Sequence, residues 1–197
     1  MSRRPEGIER VQAEFDARTS EHVLTVLHDD GLHRHLRCRK PGTVSWGWDV
    51  ITWPGYLALA GDLGSWMFSR EPDMLLDFFS GLPNVHYWLE KVVAHDRGSS
   101  FNVVSRDLIA AHRRDDNASD EAWTEALALA DELDGTSETS QMIEHLMWHI
   151  DSDAWDWTIT VPSVHAQRAL CAIVWTRQAY LAAIRETRDT TEEADHA

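Results

Sequence analysis

Cysteine is scarce in this chain. Cys38 and Cys171 are the only two in 197 residues, which excludes a disulfide framework and fits a reducing cytosol. No apolar run of about 18 residues occurs, so no membrane-spanning helix and no membrane association are expected. The N-terminal MSRRPEGIER is basic, but no apolar segment follows it, so no secretory signal is read there. Two nucleophile and phosphate signatures are also missing. There is no G-x-S-x-G elbow and no G-x-x-x-x-G-K-[ST] loop, and no cofactor is expected. Most telling is a local lack of cations: from Asp115 to Gln167 there is no Lys or Arg at all.

That same stretch holds thirteen carboxylates, among them Asp115, Asp116, Asp120, Glu121, Glu125, Asp131, Glu132 and Asp134. The whole chain carries a net charge of −15, which argues against direct binding to a nucleic-acid backbone. Ten tryptophans are present, and wide indoles serve core packing or contact surfaces. At this length the chain can bury about 70% of its unfolded surface, so it needs neither metal nor disulfide to fold.

Residues 4–18 read as a short helix, with Ile8, Val11 and Phe15 on one face. The period then shifts to two. Segments 22–28 and 32–39 flank Asp29-Asp30-Gly31, a hairpin signal because glycine accepts the positive φ of a tight turn. Pro41-Gly42, Pro54-Gly55 and Gly61-Asp62-Leu63-Gly64 punctuate further strands at 44–53, 56–60 and 65–70.

After Arg70 the spacing turns helical. Asp73 is placed to cap a short helix containing Met74, Leu75, Phe78 and Phe79. Asn84 is placed to cap another, with Val85, Trp88, Leu89 and Val92 in a stripe. Helices near 104–114, 119–134 and 138–150 follow, the last with Ile143, Leu146, Met147 and Ile150 inward. Segment 155–161 alternates as an edge strand would. Pro162-Ser163 opens a long helix to about Arg185, apolar nearly all round from Ala169 to Trp175, and the tail from Arg188 is expected to fray. The expected fold is therefore α+β: an N-terminal five-stranded antiparallel meander over 20–70, then a mainly helical part over 72–187 with a long buried C-terminal helix, in one domain.

The run Asp49-Val50-Ile51-Thr52-Trp53-Pro54-Gly55, then Gly61-Asp62-Leu63-Gly64, Phe68-Ser69-Arg70 and Asp73-Met74, resembles a group of uncharacterised tailed-phage and prophage proteins. Their corresponding stretch reads D-x-x-T-W-P-G, then G-D-M-G, F-x-R and D-M, with Leu63 here in place of the usual Met. Arg34-His35-Leu36-Arg37 is similar too. The resemblance covers roughly residues 22–80. It implies a phage accessory product working in the host cytoplasm and carries no activity.

Four constellations could carry chemistry. Alternation on 32–39 puts Leu32, Arg34, Leu36 and Cys38 on one face and His33, His35, Arg37 and Arg39 on the other. The second face is a cationic row whose guanidinium forks suit phosphate or carboxylate. With Asp49, Trp53, Asp62 and Arg70 nearby it would hold a small anionic ligand or nucleotide, for binding or hydrolysis. Alternatively it pairs with the protein's own acids, such as Asp49. The glycine-flanked turn at Asp62 either aims that carboxylate at a ligand beside Trp53 or is only a tight connection.

His145 and His149 share a helix face as zinc ligands do, but Glu144 precedes the first His instead of following it, and no third ligand is specified. That pair allows a metal-dependent hydrolase or two boundary residues. Finally, the acidic stretch can imitate a phosphate array and engage a basic host protein that processes nucleic acid or defends the host, with Trp123 or another exposed aromatic as anchor. This binding role, without catalysis, is the leading expectation.

Overall fold

The structure, a computed structural model, describes residues 8–80, 84–96, 102–114 and 118–195, with side chains through 187. The chain has two compact units: residues 1–99 with 167–197, and residues 100–166. Asp115 and Asp116 lie outside the described residues.

The first unit is an antiparallel sheet with helices. Strands β1 (Val23–Asp30), β2 (His33–Arg39), β3 (Trp48–Trp53), β4 (Tyr56–Gly61), β5 (Trp66–Ser69) and β6 (Val92–His95) lie side by side in chain order. The expected meander is present, with six strands in place of five. The sixth replaces part of an expected helix: α2 covers only Val85–Leu89, and Val92 pairs with Phe68. Asn84 does cap α2, its side chain accepting from the Tyr87 N–H.

Alternation sorts the sheet's two faces. Leu36, Cys38, Trp48, Val50, Leu57, Leu59, Trp66 and Phe68 are buried, because each stands at an even step from the next along its strand. Helix α1 (Ile8–Thr19) adds Val11 and Phe15 to this core, and the Phe15 ring meets Trp48 at 5.5 Å. The long helix α6 (Val164–Asp195) supplies Ala169 to Ile173 and Thr176. Its Thr176 hydroxyl accepts from the Trp48 indole N–H at 2.9 Å, so the buried indole is satisfied. The helix runs ten residues beyond its expected end at Arg185, where fraying was expected from Arg188.

β1 carries an irregularity: Val26 faces Leu36 but His28 faces His35, leaving Leu27 as an extra residue. Gly61 is required by space. With φ at +144° its backbone lies so close to β3 that a Cβ would stand 2.4 Å from the Gly47 carbonyl oxygen and 2.8 Å from Trp48 Cα.

The second unit is helical with a small ribbon. Helices α3 (Arg106–Ala111), α4 (Asp120–Leu133) and α5 (Thr139–His149) fall where expected. The edge strand expected at 155–161 is instead a 3-10 turn (Ala154–Asp156) followed by β8 (Thr160–Pro162), which pairs with β7 (Asn102–Val104) away from the large sheet. The core gathers Trp123, Ala126, Ala130, Leu146, Ile150 and Ile159.

Candidate functional site

The cationic row is real in its geometry and largely engaged in its chemistry. His33, His35, Arg37 and Arg39 share the outward face of β2, with Arg34, Leu36 and Cys38 inward. Register sets Arg37 opposite Asp49 on β3. Asp49 accepts from Arg37 Nε at 2.9 Å, from Arg37 Nη2 at 2.8 Å and from His35 Nε2 at 2.8 Å. The bond from Arg37 holds the Asp49 carboxyl below the usual carboxylate range, against the opposing effect of burial, and His35 adds to it. The expectation of self-pairing with Asp49 therefore holds for Arg37 and His35. Arg39 is exposed, and its side chain has no hydrogen bond or ion pair among the described residues.

Trp53 and Arg70 do not gather around that row, whereas Asp62 lines the same basin as His35, Arg37 and Arg39. Trp53 pairs with Tyr56 at one end of the β3–β4 hairpin, the two rings stacked at 5.3 Å. Asp62 follows Gly61, which pairs with Trp48 at the other end, roughly 16 Å away at about 3.3 Å per residue. Arg70 follows Ser69, the partner of Tyr56, and faces Glu71 at 3.8 Å. Asp62 and Trp53 thus stand at opposite ends of the β3–β4 hairpin.

Asp62 has a different task. Its carboxylate accepts the Trp46 N–H at 2.7 Å, and Trp46 is a non-glycine residue at φ +60°. His22 Nε2 donates to the Trp46 carbonyl at 2.9 Å. The Arg18 and Arg168 guanidinium groups lie 4.7 and 5.5 Å from its ring centre. Two hydrogen bonds and two cation–π contacts thus hold a backbone shape that a bulky residue rarely adopts.

Sequence reasoning put Arg34 on the inward face of β2 but did not find its partners. Arg34, only 6% exposed, donates to both oxygens of Asp73 at 3.1 and 2.8 Å and to the Tyr180 hydroxyl at 3.2 Å. Tyr180 in turn donates to Asp29 at 2.6 Å. Burial opposes the guanidinium charge, but the bonds to Asp73 and Tyr180 outweigh it and raise its pKa. Asp73 also accepts from the Leu75 and Leu76 N–H groups, capping the π-helical turn Met74–Phe78. This carboxylate was read only as a cap. Its partner in sequence, 39 residues earlier, left no local signal. Burial also pushes the Cys38 and Cys171 thiols up to about 12, so both are packed groups and poor nucleophiles.

In the second unit the described acids stand on the surface. Asp120, Glu121, Glu125, Asp131, Glu132 and Asp134 are all exposed. Arg113 pairs with Asp120 at 2.5 Å, and Arg106 pairs with Asp131 at 3.0 Å while its N–H reaches Asp134 at 2.9 Å. Trp123 is no anchor: it is 1% exposed, because its spacing with Ala126, Ala130 and Leu133 puts it on the inward stripe of α4. The exposed aromatics lie elsewhere. Trp148 on α5 is 78% exposed and Trp155 in the 3-10 turn 62%, with Met147 also exposed. Met147 was expected inward; the buried positions are Met142, Leu146 and Ile150, four apart. That spacing leaves 147 and 148 facing out.

The His145 and His149 rings lie 4.6 Å apart on α5. His145 Nε2 is buried without a hydrogen-bond partner. Burial first, and His149 second, lower the His145 pKa, with Glu125 opposing. Among the described residues no set of three His, Cys, Asp or Glu side chains is arranged to hold a metal ion, so the pair lacks a third ligand. No helix among them is long and apolar enough to cross a membrane. Comparison of the chain with protein-family models, curated proteins and solved structures gives no match.

Proposed function

We propose that this chain is a phage accessory protein that acts by binding. Its second unit offers an acidic, aromatic surface to a basic host protein of the nucleic-acid-handling kind. The observation that carries the proposal is the pairing of exposed indoles with charge of one sign. Trp148 and Trp155 are 78% and 62% exposed, in a unit where residues 100–166 have three arginines against fourteen carboxylates, a net charge of −11.

Physical chemistry supports that reading. Self-repulsion among so many carboxylates destabilises a compact unit unless a counter-charge offsets it. Arg106 and Arg113 pair with only part of the set. Two large indoles left in water favour burial in an interface, where tryptophan is a frequent centre of binding energy. The carboxylates would speed and orient the encounter, and the indoles would set residence time. The phage resemblance at residues 22–80 supports a host partner.

The test uses a host nucleic-acid-binding protein retained by the immobilised chain. Its kinetics are measured against salt with W148S/W155S and with D131N/E132Q/D134N. The indole variant should dissociate at least about tenfold faster. The neutralised variant should associate more slowly and with a flatter salt dependence. Duplex DNA should compete for the retained protein. Affinity that holds steady from low to high salt, or that ignores both variants, rejects the proposal.

A further inference from the structure

We infer a second site in the first unit: a shallow oxyanion-binding basin on the outward face of the sheet, centred on Arg39 and Arg37. The basin has a volume of about 500 Å³, and its lining includes His35, Arg37, Arg39, Val44, Ile51 and Ala60.

The free side-chain donors of this basin are concentrated on its two guanidinium groups. The Asp49 carboxylate already takes three N–H bonds, two from Arg37 and one from His35. The Asp62 carboxylate, also at the basin, is turned to the Trp46 N–H. Arg37 uses Nε and Nη2 on Asp49, which leaves Nη1 unspent. Arg39, two residues along the same strand face, has every guanidinium N–H available. Two forks about 7 Å apart along the strand can share one tetrahedral or planar oxyanion between them.

Asp49 has a positioning role here, holding Arg37 in one plane so that less rotamer freedom is lost on binding. Formal charges around the basin balance, Arg37 and Arg39 against Asp49 and Asp62. Recognition therefore rests on directed N–H groups, not on a bulk field. Val44 is 75% exposed and Ile51 37%, so the floor and rim give an apolar stem somewhere to lie. The ligand class is a small molecule with a phosphate or carboxylate on a flat apolar body. Trp53 and Arg70, at the far end of the hairpin, take no part.

The full-length chain is titrated with inorganic phosphate, phenyl phosphate and benzoate at constant ionic strength, followed by 15N resonances including the arginine Nε–H groups. Saturable shifts are expected at Arg37, Arg39 and the neighbouring β3 and β4 amides. Phenyl phosphate should bind more tightly than inorganic phosphate, because its ring can cover Ile51 and Val44. Arg39→Met should weaken binding by about tenfold or more, while Arg10→Met, an exposed arginine on α1, leaves it unchanged. Preference for phenyl phosphate over benzoate assigns a phosphate ligand, and the reverse a carboxylate. Binding by Arg39→Met equal to wild type, or shifts spread over all arginines alike, overturns the site. Neither result bears on the acidic unit, whose variants leave this basin untouched.

Discussion

Replacing Arg34 by Met should destabilise the first unit more than any surface charge change. The side chain is 6% exposed and makes three hydrogen bonds. Methionine fills similar volume but abandons Asp73, whose own side chain is 10% exposed. Removing one partner of a buried ion pair costs about 3–5 kcal/mol, chiefly because the remaining charge is stranded. Asp73 keeps its bonds from the Leu75 and Leu76 N–H groups, so a loss near the lower end, about 3 kcal/mol, is expected. Pairing the change with Asp73→Asn removes the stranded charge while the amide oxygen still caps the turn. The double variant should therefore regain about 2 kcal/mol of that loss, a coupling typical of residues in direct contact. Native-state hydrogen exchange in denaturant, read at β2 and at Met74–Phe78, isolates this unit from the other. The reasoning fails if Arg34→Met costs less than about 0.5 kcal/mol, the range of an ordinary surface change. It also fails if the double variant is no more stable than the single.

Two further outcomes are expected. Gly61→Ala must push backbone apart at Gly47 and Trp48 and strains φ besides, so it should cost at least about 1–3 kcal/mol in urea unfolding; a neutral result would mean β3 and β4 can separate freely there. In the second unit, the His145 pKa is lowered by burial and by His149, so the folded state holds that proton less tightly than the unfolded one. Its contribution to stability is therefore present above the unfolded value, about 6.5, and is lost as pH falls through the folded pKa. Proton NMR should show His145 titrating below a free histidine, and His149→Gln should move it part of the way back.

Much of the first unit was legible because its turns are written in local chemistry. Asp29-Asp30-Gly31, Pro54-Gly55 and Gly61-Asp62 each end a strand, and alternation then fixes which side chains face in. Register followed too: Asp49 does sit opposite Arg37. The sixth strand was hidden because Val85, Trp88, Leu89 and Val92 fit a helical period, and nothing local marks the break at Glu90. Arg34 was visible as a charge on an apolar face, but its partners come from Asp73 and from Tyr180, 146 residues away. Long-range pairing of that kind leaves no trace in spacing. In the second unit the carboxylates could be counted from sequence. Choosing between Trp123 and Trp148 required knowing which helix stripe was inward, and Met142, Leu146 and Ile150 settle that for α5.

The extra residue in β1 works as a phase shifter. Up to Val26 the even-numbered positions of that strand share the sheet face of buried residues on β2, Leu24 opposite Cys38 and Val26 opposite Leu36. Continued without interruption, that rhythm would send Asp29 outward into water. Leu27 absorbs one step, the odd-numbered positions take over, and Asp29 arrives opposite Arg34, where the phenol of Tyr180 meets it. One inserted residue at a sheet edge thereby lets a strand with an apolar beginning end by bringing an exposed carboxylate against the buried Tyr180 and Arg34.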